Sequence, residues 1–191
     1  MRPRLAEIAL DPFSALIEID RRSRELAGPT ASGSDAPGVW TGLGFRVGGA
    51  RMLADRDVVR EVIRCPALTR LPGARLWLRG IANVRGSLVP VTDLACLLEG
   101  RLTVPNARGV RLIVIKHPDV SAGLLVDEVV GFRQFEQKQK VDRSDEILEP
   151  YRPFVAYGYR QGEDLWGVFS FYRLVEDDLF TNASDQREAV G

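Results

Sequence analysis

Two blocks of this chain repeat each other without a gap, and that repeat limits the possible folds more than any other feature. Residues 87–99, SLVPVTDLACLLE, align with residues 164–176, DLWGVFSFYRLVE. The alignment pairs Leu88 with Leu165, Val91 with Val168, Leu94 with Phe171, Leu97 with Leu174 and Glu99 with Glu176. Earlier in each cycle VVREVI at 58–63 matches LVDEVV at 125–130, and Gly80 meets Gly158 if one residue is inserted in the second hairpin. Matched blocks in the same order imply a duplicated strand–turn–strand unit. A unit of this size buries too little apolar surface to stand alone, so two small barrels packed together are expected.

The local signals divide the chain further. Residues 1–27 read as an N-terminal arm with a helix: Asp11 is a good N-cap, Pro12 suits the first turn, and Phe13, Leu16 and Ile17 form a short stripe. Residues 28–38, GPTASGSDAPG, have the composition of a flexible linker. The folded domain is expected over 39–180, with pseudo-repeats at about 44–99 and 111–176, and a mobile polar tail over 181–191. Strands are expected at Trp40–Val47, Arg51–Leu53, Val58–Ile63, Ser87–Val91, Val110–Ile115, Gly123–Val126, Glu128–Gln134, Phe154–Tyr159 and Leu165–Phe169. Short helices should follow Asp93 and Ser170; Leu76–Val84 reads as a helix-like turn, Pro66–Gly73 as loop, and 136–152 as irregular. Alternation along 58–63 puts Val58 and Val62 inside and Val59 and Ile63 outside beside Glu61, because the reverse would bury the carboxylate.

Reactive chemistry is hard to assemble from these residues. The single histidine, His117, sits in the turn sequence Lys-His-Pro-Asp, and Cys65 and Cys96 lie far apart among apolar neighbours. Neither gives metal-ligand spacing. Gly42, Gly44 and Gly48 fit a dinucleotide fingerprint poorly and suit a bent strand and its hairpin better. Asp127 and Glu128 fall on opposite faces of a strand and do not converge. The formal net charge is zero, without the basic surplus that nucleic acid requires. No apolar run is long enough to span a bilayer and no signal-peptide core is present. The expectation is a cytoplasmic protein, not an enzyme, with no cofactor, no metal and no nucleic-acid partner, reaching a membrane only through another protein.

The stretch from Leu71 to Leu94 resembles the signature of CheW-like coupling proteins. Leu71-Pro72 leads to Gly80-Ile81-Ala82-Asn83-Val84-Arg85-Gly86 and then Pro90-Val91-Thr92-Asp93-Leu94, flanked by Val59-Arg60-Glu61-Val62 and Gly123-Leu124-Leu125-Val126-Asp127-Glu128-Val129. The Pro12-Phe13 helix, Asn83-Val84-Arg85-Gly86 and Trp166-Gly167-Val168-Phe169-Ser170 point to the twitching-motility (type IV pilus) branch. The resemblance implies a mainly β fold: two five-stranded SH3-like barrels sharing an apolar core, with short helices and the N-terminal helix. It implies two partners, the regulatory domain of a CheA-type histidine kinase and the cytoplasmic tip of a methyl-accepting chemoreceptor, met at inner-membrane receptor arrays. Partner binding is expected at Val59, Glu61, Ile63, Gly80, Asn83, Arg85 and Gly86, with Glu61 and Arg85 as an ion pair. The second repeat departs from the motif at Tyr159-Arg160-Gln161-Gly162-Glu163, so no site residue is expected there. Alternatives are a flagellar chemotaxis adaptor, a freestanding piece of the kinase's regulatory domain, and an enzyme built on paired barrels.

Overall fold

A computed structural model describes residues 38–116, 122–142 and 146–181. The expected N-terminal helix, the linker up to residue 37, His117 and the tail beyond Thr181 lie outside the described residues. Among the described residues, twelve strands form two six-stranded sheets. Sheet A holds β1 (Val39–Val47), β2 (Ala50–Asp55), β9 (Glu128–Glu136), β10 (Lys140–Val141), β11 (Val155–Gln161) and β12 (Asp164–Phe169), in the order β10-β11-β12-β2-β1-β9. Sheet B holds β3 (Val59–Ile63), β4 (Leu68–Thr69), β5 (Leu78–Val84), β6 (Ser87–Asp93), β7 (Arg111–Ile115) and β8 (Ala122–Val126), in the order β3-β7-β8-β6-β5-β4. Each sheet therefore has five full strands and a two-residue sixth.

The sheets do not coincide with the repeats. The first hairpin, β1–β2, pairs with β9 and, in parallel, with β12 of the second repeat. The hairpin that opens the second repeat, β7–β8, pairs in the same two ways with β3 and β6 of the first. Each repeat thus lends its opening hairpin to the other. A lent hairpin is covered on both faces, which requires apolar residues at successive positions rather than alternation. Leu112 and Val114 of β7 face the core of sheet B, while Ile113 and Ile115 face a central cluster with Phe45, Met52, Phe169 and Phe171. A third cluster, around Phe135, Tyr159 and Trp166, fills sheet A. The central cluster draws on both sheets, and it is the shared apolar core.

Several local expectations change. Leu78–Val84 is a strand, with only a single turn before it where the Leu78 amide donates to the Arg75 carbonyl at 2.9 Å. The Pro66–Gly73 loop contains β4, two residues paired with β5. The segment 136–152 contains β10 and ends in a 3-10 turn, Glu149–Phe154, that buries Tyr151 and Phe154 in the central cluster. The helix Leu94–Glu99 is capped by Asp93 and stopped by Gly100 in the left-handed conformation. Its counterpart Phe171–Glu176 is capped by Ser170.

Candidate functional site

The β5–β6 connection is a two-residue loop between the paired residues Val84 and Ser87. Both loop residues have positive φ, Arg85 at 52° and Gly86 at 87°, as the twist-matched hairpin turn requires. An arginine is an unusual occupant of that conformation. Asn83 holds the turn by accepting the Gly86 N–H on Oδ1 at 2.8 Å. Arg85 Nε lies 3.0 Å from Glu61 Oε2 on β3. The contact is a charge pair rather than a directed hydrogen bond, since that oxygen is shielded and has no partner of hydrogen-bonding geometry. The Arg85 side chain is 77% exposed and the Glu61 side chain 14%. A nearly covered carboxylate therefore fixes one end of a cation that remains presented to solvent.

The structure brings Glu61, Asn83, Arg85 and Gly86 together at one turn, with Val59 and Ile63 on the same strand as Glu61 and Gly80 on the strand that leads into the turn. Val59 and Ile63 are only partly exposed, each packed on one side against a core cluster. The register slips between Val59↔Ile115 and Glu61↔Val114, so Arg60 is a bulged residue and the alternation breaks. Val59 packs with Val58 and Val62 against the central cluster, and Ile63 packs with Cys65 and Leu68 against the core of sheet B. Gly80, nearer the start of β5, has φ 131°, and a side chain there would strike the Thr69 carbonyl of β4. The close approach it permits comes from its own chain.

Two polar hubs were not anticipated as such. Asp93 is 0% exposed, and its carboxylate takes four donors. Arg79 Nη1 and the Thr103 amide, each at 2.8 Å, reach Oδ2; the Thr103 hydroxyl at 2.8 Å and the Cys96 amide at 3.1 Å reach Oδ1. The sequence signal was an aspartate inside the apolar run Val89–Leu98, fourteen residues after an arginine. The second hub joins the repeats: Asp127 Oδ2 accepts from the Gly48 amide at 2.7 Å and from Arg101 Nη2 at 2.6 Å. Arg101 also meets Glu99, whose other oxygen accepts the Tyr151 hydroxyl at 2.7 Å. Burial first, and then the Glu99 carboxylate, push the Tyr151 phenol far above its ordinary range, so it remains a donor. Glu128 points elsewhere, to Arg46 at 3.6 Å, so the adjacent acids indeed do not converge.

Among the described residues no group of three or more His, Cys, Asp or Glu is placed to hold a metal ion. Cys65 and Cys96 are free thiols, and burial pushes both toward the protonated form. No helix of the described residues is long and apolar enough to cross a membrane.

A family model described as CheW-like domain matches residues 41–177. Protein PilI of Pseudomonas aeruginosa is 39% identical over 177 residues, covering 91% of this chain and 96% of that protein. Chemotaxis protein CheW of Thermotoga maritima is 30% identical over 97 residues, 51% of this chain and 63% of that protein. The crystal structure of scaffolding protein TtCheW from Thermoanaerobacter tengcongensis superposes with a TM-score of 0.62, covering 73% of this chain and 94% of that one at 21% identity. That last likeness is one of fold.

Proposed function

Because this chain belongs to the family of CheW-like domain proteins, we propose that it is a non-catalytic adaptor coupling a methyl-accepting chemoreceptor to a CheA-type histidine kinase in a twitching-motility (type IV pilus) system. The observation that carries the branch is the extent of the likeness to PilI. It covers 91% of the chain, more than the family domain at 41–177, whereas the Thermotoga CheW likeness covers 51%. A flagellar chemotaxis adaptor is the second reading. An adaptor works by holding partners in a geometry that biases their populations, which needs rigid surface and no reacting group. It would act in the cytoplasm, recruited to inner-membrane receptor arrays by the receptor. Recovery of the tagged chain from native lysate, with identification of the kinase that accompanies it, tests the proposal. A pilus-system kinase is expected; a flagellar kinase favours the second reading, and no kinase or receptor at all defeats both.

Within that function the Glu61–Arg85 turn is our proposed docking element, with Asn83 and Gly86 setting its shape. Val59, Ile63 and Gly80 support it from within by positioning β3 and β5. Arg85→Ala removes an ion pair worth about 0–1 kcal/mol at an exposed position. The variant should melt within about four degrees of the parent by that measure, yet capture at least tenfold less kinase or receptor. Undiminished capture would remove the turn from the interface.

The adaptor domain is proposed to need nothing before residue 38. A chain starting there is expected to keep a single cooperative melt by circular dichroism. Loss of that cooperativity would place part of residues 1–37 in the core.

A further inference from the structure

Hydrogen-bonded ladders run within each sheet, and what packs the two sheets together is the central apolar cluster. Apolar packing is strong but non-directional, so by itself it fixes the angle between the sheets poorly. Directional bonds at the rim of the cluster supply what it lacks. The chain crosses from sheet B to sheet A at a single residue, Asp127, between β8 and β9. Its amide donates to the Arg46 carbonyl of β1 at 3.0 Å, and its Oδ2 accepts the Gly48 amide of the β1–β2 turn at 2.7 Å. Both bonds secure the crossing to sheet A. The same oxygen accepts Arg101 Nη2 at 2.6 Å. Arg101 comes from the other side: its amide donates to the Ala95 carbonyl at 3.3 Å, in the helix that follows β6 of sheet B.

A second bridge runs beside the first. Glu99, the last residue of that helix, meets Arg101 Nε at 3.4 Å with one oxygen and accepts the Tyr151 hydroxyl at 2.7 Å with the other. Tyr151 is fully buried in the 3-10 turn that leads into β11 of sheet A. Glu99 also covers Gly48, whose φ is 57° and where a Cβ would overlap the carboxylate. One arginine thus joins two carboxylates. Through them the end of a helix on the sheet B side is tied to the β1–β2 turn and to the turn that opens β11.

We propose that Arg101, with Asp127 and Glu99, is the lock that sets the angle between the sheets, and that it is a positioning residue for coupling, not a docking residue. The coupling half rests on the adaptor reading. The Glu61–Arg85 turn is carried by sheet B. A bias imposed there reaches a partner held by sheet A through the lock and the shared core. The Arg101 side chain is 45% exposed, so its ion pairs add little stability while still fixing direction.

Two measurements on full chains of the parent, Arg101→Gln and Arg101→Lys test the proposal. Both variants should melt within about four degrees of the parent. The first measurement needs no partner. Spin labels on Leu88→Cys of β6 and Phe132→Cys of β9, exposed positions on opposite sheets, report the distance between the sheets once Cys65→Ser and Cys96→Ala remove the native thiols. Arg101→Gln should broaden the distance distribution, and Arg101→Lys, which keeps a cation beside Asp127, should restore most of the parent's width. The second measurement separates binding from coupling. Arg101→Gln should capture kinase and receptor within about twofold of the parent, yet lower the receptor-dependent change in kinase activity by at least about threefold, with Arg101→Lys intermediate. An unchanged distance distribution in Arg101→Gln overturns the lock. A broadened distribution with parent-like coupling overturns the positioning role, and so does a loss of capture as large as the loss of coupling. A parent that captures neither partner defeats the adaptor reading and the coupling half with it, while the distances still decide the lock.

Discussion

Arg79→Ala is expected to lower stability by about 3–5 kcal/mol, the usual result of removing one partner from a buried ion pair. Asp93 is fully buried and its charge is balanced by Arg79 at 2.8 Å. The three remaining donors, two amides and a hydroxyl, carry no net charge. The same Arg79 nitrogen also ties the Thr103 carbonyl, so the loop after the helix Leu94–Glu99 loosens with it. For a domain of this size the change corresponds to a fall of roughly 10 °C in the melting midpoint. Arg79→Lys keeps the charge but not the forked geometry, so it should recover part of the loss. Thermal and urea melts of the three proteins decide the matter. A midpoint for Arg79→Ala within a degree or two of the parent would show that Asp93 does not depend on this cation.

What the sequence disclosed depended on how local the cause was. Caps were legible because their determinants lie within a few residues: Asp93 and Gly100 bracket one helix. The duplication was legible because side chains aligned in register. The exchange of hairpins between repeats was not, since Leu112 to Ile115 read as a buried strand whichever sheet owns it. The faces of β3 were misjudged for a related reason. Alternation assumes an unbroken ladder, and the bulge at Arg60 is produced by pairing with β7, fifty residues away in sequence. The Glu61–Arg85 contact was suggested by resemblance; composition and spacing alone do not bring those two residues together.

Gly80→Val should cost about 3 kcal/mol or more, combining a backbone strain of order 1–3 kcal/mol with a steric clash. At φ 131° a β-branched residue is strongly disfavoured, and its Cβ would overlap the Thr69 carbonyl. The register of β5 on β6 already slips between Leu78 and Gly80, so the strand is bent here by design of its pairing. The chain has two ways to relieve the overlap. It can flatten the bend, which displaces Arg79 from Asp93, or it can release β4, which frees Leu68 from the core of sheet B. Release of β4 is expected, because only the two pairs Leu68↔Ala82 and Thr69↔Ile81 hold it. Amide exchange separates the routes: β4 and the facing positions of β5 should lose protection while Cys96 and Thr103, bonded to Asp93, keep theirs. Gly80→Ala should show the strain and the same overlap with less bulk, so its loss should be smaller. Any reduction in kinase or receptor capture should then track the fraction unfolded or the loosening of the Arg85 turn. Parent-like melting by Gly80→Val would mean that the backbone at Gly80 does not need a glycine. A fully folded variant that had nonetheless lost its partner would transfer the close approach from β4 to that partner.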